Sequence, residues 1–251
     1  MAETGVALQM YTVRDDSARD FRGTVRRVAE MGYPALEFAG YGGLSPQEVA
    51  ALCGELGLAV AGTHTGLDQL ESDFAAQVRL HHAIGAHFLT IPSLPGRYPR
   101  TEAGYRQAGR DLNALGGRLA AEGITLCYHN HAHEFFATEH GWGLDALFAE
   151  TDPALVRSEL DVYWVAKAGV DPAAYMRVLG SRCTLVHIKD MAEDGSFAEV
   201  GTGQLDFAAI FAAGATSDTR WYIVEQDTCR RPPLEAVRIS LEHLRRWGRV
   251  P

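Results

Sequence analysis

No run of the chain reaches the roughly 18 uncharged apolar residues that a membrane span needs, so no membrane-embedded role is expected. Cysteine is scarce and scattered. Cys53, Cys127, Cys183 and Cys229 form no CxxC pair; Cys127 and Cys183 lie in apolar runs and read as small core residues. Without a cysteine framework or a leader-like segment, the simplest expectation is a reducing, cytoplasmic setting. Basic residues are outnumbered, 23 against 32 acids, for a net charge of −9. No basic excess remains to neutralise the phosphates of a nucleic acid. One or two arginines could still hold an anionic substrate, and Arg14, Arg97 and Arg100 are the candidates. Glycine is missing where a dinucleotide-binding sheet would place it: the first apolar run leads into Gln9-Met10-Tyr11-Thr12-Val13-Arg14-Asp15. The short Gly201-Thr202-Gly203 allows close backbone approach to a substrate. It is a poor phosphate cradle, because no P-loop lysine follows.

What is present is a regular alternation. The chain has 251 residues, 47% hydrophobic and 22% charged, enough for one barrel-sized core spanning 1–251 as a single domain. Short β-rich runs lie at Val6–Met10, Ala35–Phe38, Leu58–Thr63, Phe88–Pro92, Ile124–His129, Val156–Asp161, Thr184–Ile188 and Tyr222–Glu225. Between them run amphipathic stretches at Phe21–Met31, Pro46–Leu56, Phe74–Ile84, Glu102–Glu122, Ala173–Leu179, Phe207–Ala213 and Leu234–Trp247. Ser45-Pro46 and Asp171-Pro172 supply a cap and a first-turn proline, and Gly57 sits where a helix C-terminus favours glycine. Eight strands alternating with helices predict an α/β fold, a parallel eight-stranded closed sheet of the (β/α)8 TIM-barrel type. An open doubly wound sheet is the competing topology.

Polar and ionisable residues recur where strands end: Glu37, His64, the segment His129 to Glu134, Asp161, His187 with Lys189, and Glu225. In a β/α barrel these ends share the face that carries the active site. Charges buried there are costly unless paired or bound to a metal, and imidazoles with carboxylates suit Zn, Mn, Fe or Co. The densest patch is Tyr128-His129-Asn130-His131-Ala132-His133-Glu134, where His129 and His131 share a strand face and Glu134 follows from the loop. Asp161 reads as a ligand or as the cap of the next helix. Glu159 shares its face and fits an interior network. Lys189 reads as a proton shuttle or as half of a surface pair with Asp190. His81, His82 and His87 read as surface residues on or just after a helix.

These segments resemble the sugar phosphate isomerase/epimerase superfamily, the xylose isomerase-like barrels. Those carrying the resemblance are Leu8–Arg14, Tyr128–His131 with Glu134-Phe135, Leu160–Trp164, His187–Asp190, Val200–Gly203 with Asp206-Phe207, and Glu225–Asp227. The resemblance implies one divalent metal (Mn, Mg, Co or Zn) held by Glu, Asp, His and Glu, with Asp161, His187 and Glu225 in the last three places. The epimerases end the fifth strand with Glu, and this chain does not; Glu134 is the substitute, with His129 or His131 as the alternative. The superfamily also contains dehydratases of keto-inositols, lyases of 3-keto-glycosides and endonucleases, the last disfavoured by the acidic charge.

The preferred expectation is a metal-dependent sugar isomerase or epimerase that removes a proton next to a carbonyl. Glu225 or Glu134 would be the base. His131, His129 or Lys189 would protonate a leaving group if the enolate expels one, which makes the site a lyase. Tyr11, Arg14, His64, Trp164 and Trp142 are candidates to line a pocket for a small sugar, since aromatic faces suit sugar rings. A metal hydrolase using His129-Asn130-His131, and a sugar-binding protein without catalysis, are the rival classes. Exposed helix faces of barrels often support homo-oligomers.

Overall fold

The computed structural model describes residues 4–250. Its eight main strands are β1 Gly5–Gln9, β2 Ala35–Phe38, β3 Ala59–His64, β4 Phe88–Ile91, β5 Thr125–His129, β6 Val156–Asp161, β7 Cys183–Ile188 and β8 Trp221–Val224. Each pairs in parallel with its neighbours in sequence, and β1 meets β8 to close the ring. Parallel pairs need a crossover, and helices supply it. These are α1 Phe21–Met31, α2 Pro46–Leu56, α3 Phe74–Ile84, α4 Glu102–Ala120, α5 Gly143–Ala149, α6 Pro172–Leu179, α7 Phe207–Gly214 and α8 Pro233–Arg246. The closed ring excludes the open sheet.

Local chemistry explains several boundaries. At α2, the Ser45 side chain accepts the Glu48 N–H while the Glu48 carboxylate accepts the Ser45 N–H, a reciprocal cap behind Pro46. Gly57 ends the same helix at φ 67°, a left-handed conformation that glycine adopts without Cβ strain. Asp171 caps α6 through the Ala174 N–H, again ahead of a proline.

Strand alternation sorts the core into two. Outward residues such as Leu8, Leu36, Leu126, Val186 and Ile188 pack with the helices in one large cluster. Inward residues Ala7, Ala35, Ala61, Cys127, Leu185 and Ile223 form a separate apolar plug inside the ring, with Phe88 and Trp221 against it. No helix among the described residues is long and apolar enough to cross a membrane.

Some features depart from the sequence expectation. Helix α5 was not anticipated: its seven residues begin with glycine and lack the proline or serine start found at α2. Two small hairpins, Ala137–Thr138 with Gly141–Trp142 and Asp190–Met191 with Phe197–Ala198, are too short to leave a periodic signal. His81, expected on the surface, is fully buried. Its Nε2 lies 2.7 Å from Thr63 Oγ1 and its Nδ1 2.7 Å from the Gln77 carbonyl, so both ring nitrogens are satisfied under α3. His82 and His87 are exposed as expected.

Candidate active site

Above the apolar plug the same strands turn polar. Gln9, Glu37, Thr90, His129, Glu159 and His187 are all buried. Register places His129 beside Glu159 and Asp161 beside His187, so residues far apart in sequence become neighbours. Around the C-terminal ends of the strands, ligand-capable atoms of His129, Asp161, His187 and Glu225 all lie within 4.8 Å of one another. A second group of His64, His129, Glu159 and His187 meets the same limit; Glu159 sets it deeper along the strands than Asp161 does the first, although its His64 is half-buried and lines a cavity.

Both groups hold close pairs, and both leave buried polar atoms without a hydrogen-bond partner. In the deeper one, His64 Nε2 lies 2.6 Å from Glu159 Oε2, and His187 Nε2 lies 2.7 Å from Glu37 Oε2. Those are hydrogen-bond lengths, while Glu37 Oε1 and His129 Nδ1 stay buried without a hydrogen-bond partner. In the outer group, His129 Nε2 is 3.8 Å from Asp161 Oδ2. Asp161 Oδ1 accepts the Trp164 N–H at 2.9 Å and caps the short helix Val162–Lys167, so the ligand and cap readings fall on different oxygens. Its Oδ2 is buried and accepts no hydrogen bond of good geometry, although Lys189 Nζ lies 3.0 Å away. Two imidazoles and two carboxylates with an under-satisfied oxygen fit a divalent cation of the Zn, Mn or Co kind.

Lys189 is 1% exposed. It sits 3.0 Å from Asp161, 2.7 Å from Glu225 and 2.8 Å from Asp227, which removes the reading as a surface partner of Asp190. Burial alone would lower its pKa, but Asp161, Glu225 and Asp227 hold it well above the ordinary lysine value. His187 behaves alike: burial opposes its charge, yet Glu159, Glu225 and Glu37 raise it well above the usual imidazole range. Burial would raise Glu225, and Lys189 and His187 pull it below the carboxylate range. Burial, reinforced by Glu159, pushes Glu37 up to about 7. His129 and His131 are lowered, chiefly by burial, and are kept neutral.

A cavity of about 570 Å³ opens over this cluster. Tyr11, His64, His129, His131, Lys189 and Glu225 line it, with Gln69, Ser93 and Asp227. Glu134 is placed elsewhere. It is fully buried, accepts the Tyr128 hydroxyl at 2.8 Å on Oε1 and the His131 N–H at 2.8 Å on Oε2, and groups with His131 and His133. The fifth-strand residue near Asp161, His187 and Glu225 is therefore His129, the alternative to Glu134. Arg14 does not line the cavity: it stacks on the Tyr11 ring at 4.2 Å and donates to the carbonyls of Tyr11 and Asp227. Trp164 borders the cluster, its ring 5.5 Å from His131. Trp142 belongs to a hairpin and packs on Phe135. Arg97 is paired with Asp68 and Glu71. Arg100 borders a separate hollow with His133. Gly201 and Gly203 approach a carboxylate rather than the cavity, donating their N–H groups to Asp190 Oδ2 at 3.0 and 2.8 Å.

Sequence reasoning gave no role to Gln9, Gln69, Ser93 or Asp227. Asp227 follows Glu225 by two residues, and that same-face spacing was the available signal. The others are uncharged: Gln9 ends β1, Ser93 lies just past β4 and Gln69 sits in the short helix Leu67–Ser72, and none is distinguishable in sequence from packing.

Residues 25–247 match the family model of the xylose isomerase-like TIM barrel. An inosose dehydratase of Geobacillus kaustophilus is 26% identical over 262 residues, covering 87% of this chain and 84% of that protein. An inosose dehydratase of Clostridium tetani is 30% identical over 156 residues, covering 54% of this chain, and the match spans only about half, 52%, of that relative. Among solved structures, a sugar phosphate isomerase/epimerase of Parabacteroides distasonis superposes with a TM-score of 0.85 at 25% identity, covering 99% of this chain and 100% of that one.

Proposed function

The chain belongs to the xylose isomerase-like TIM-barrel family, and from that premise we propose that it is a metal-dependent lyase that removes water from a small, neutral keto-polyol. The observation that carries this reading is the asymmetry of the cavity. Both lining carboxylates, Glu225 and Asp227, follow β8, whereas the wall across the ring presents His64, His129 and His131. Glu134, the carboxylate that could have served the opposite face, is tied to Tyr128 and the His131 N–H. Epimerisation by two facing carboxylates has no second partner here. An imidazole facing the substrate suits elimination.

In this mechanism His131, kept neutral by burial, takes the proton from the carbon next to the carbonyl. The C–H electron pair forms the enolate. The β-carbon–oxygen bond then breaks with its electrons on oxygen, and the imidazolium of His131 returns the proton, releasing water and an enone. A bound divalent ion would be held by His129, Asp161, His187 and Glu225 and would supply positive charge for the developing enolate oxygen. Lys189 adds a hydrogen-bond donor at the cavity wall.

Neutrality of the substrate follows from the cations. Among the described residues, Lys189 is the lysine or arginine lining the cavity, and three carboxylates already engage it. Arg14 and Arg97 are committed to other partners. A phosphate ester would find no uncommitted lysine or arginine in the cavity wall. The relatives named inosose dehydratase support a cyclic keto-polyol as substrate. Incubating metal-loaded protein with a keto-inositol should generate enone absorbance and one equivalent of water loss by mass; an unchanged substrate with no solvent deuterium gained would sink the reading.

A second reading, isomerase or epimerase, draws on the name of the Parabacteroides structure. It shares the enolate but returns the proton to carbon. Deuterium entering the substrate without loss of water would favour it.

A further inference from the structure

His187 is gripped on both ring nitrogens. Nδ1 faces the outer group, 2.8 Å from Glu225 Oε2, and Nε2 points across the barrel, 2.7 Å from Glu37 Oε2. Glu37 lies on β2, 150 positions away in sequence, and does not line the cavity. Its Oε2 also accepts the Gln9 side-chain N–H at 2.8 Å, and Gln9 is in turn fixed by accepting the Tyr11 backbone N–H at 3.1 Å. A buried carboxylate is expensive for the fold alone. Two residues earlier the same strand fills the ring with Ala35, so neutral small residues suffice for packing there.

We propose that Glu37 is a positioning residue for His187: by accepting the Nε2–H it holds that proton on the far side, so that a cation arriving at the outer group displaces only the Nδ1 proton shared with Glu225 and meets the Nδ1 lone pair. An imidazole can donate on one nitrogen and ligate on the other only if the proton is held on the far side. Gln9 props Glu37 against His187, so a chain of hydrogen bonds from Gln9 on β1 through Glu37 on β2 to His187 supports the outer group. This inference rests on the metal-dependent reading above.

The test uses the full chain with zinc as the probe. In zinc-loaded protein carrying 15N-histidine, long-range 1H–15N correlation should show His187 with its proton on Nε2. Glu37→Gln should weaken zinc binding, measured by chelator competition, by about 10- to 100-fold, with the melting midpoint of the metal-free protein retained. His187 protonated on Nδ1 in the zinc-loaded wild type would overturn the assignment without any variant. Wild-type zinc affinity in Glu37→Gln would also overturn it, while leaving the metal reading intact. Failure of the wild type to bind zinc at all would remove both.

Discussion

Two layers of the barrel interior lie two residues apart on the same strands and have opposite chemistry. Ala7, Ala35, Cys127 and Leu185 belong to the apolar plug; Gln9, Glu37, His129 and His187 follow them inward at the next step and are buried polar or ionisable groups. Strand geometry is the same in both layers, and so is burial. What differs is depth. The lower layer stabilises the ring by packing, and the upper layer carries charge that packing cannot explain. In such a barrel, distance along the strand toward its C-terminal end separates stability from chemistry.

That contrast makes predictions that differ in kind as well as size. The largest effect is expected at the top: if the proposed ion site holds, Glu225→Gln or His187→Ala should lower metal affinity by more than about 100-fold, read as metal content after dialysis, because the first replaces an anionic oxygen by a neutral amide and the second removes the ring nitrogen. Retention of stoichiometric metal in both variants would dissolve the distinction between layers. At the bottom, Leu185→Ala should cost about 2–5 kcal/mol in denaturant unfolding while metal content is unchanged. A loss of metal with no loss of stability there would reverse the assignment.

The smallest effect sharpens the comparison from outside the ring. His81 is buried without a carboxylate partner, and burial lowers its pKa. It is neutral in the fold, whereas the unfolded chain binds a proton near the ordinary histidine value of about 6.5. Its contribution to stability is therefore full above that pH and is lost as pH falls toward the lowered folded value, by at most about 1.4 kcal/mol per pH unit. Unfolding of metal-free protein between pH 7 and pH 5 should show a shallower loss in His81→Gln than in wild type; equal slopes would disprove it.

Most of the barrel was legible in sequence because strands and helices carry different periods, and because Ser45, Pro46, Gly57 and Asp171 mark their ends chemically. Asp161, His187 and Glu225 were legible as acids and imidazole closing apolar runs, and the structure brings them into one group. Their fourth neighbour was not, since choosing between His129 and Glu134 depends on where the chain leaves β5. The strand ends at His129, and the following turn carries Glu134 back to the Tyr128 hydroxyl. The bond from Glu37 to His187 spans the ring and follows no spacing rule. His81 was misread because α3 is only weakly amphipathic in sequence: it buries Gln77 and His81 alongside Val78, Leu80 and Ile84.

The ammonium of Lys189 has a consequence for how the protein matures. Asp161, Glu225 and Asp227 meet it within 3.0 Å, so the chain brings its own counter-ion to the place where its acids converge. Folding need not wait for an ion to arrive. The polypeptide can close its barrel with part of that acid charge already offset by its own side chain, in contrast to small domains whose collapse depends on an ion.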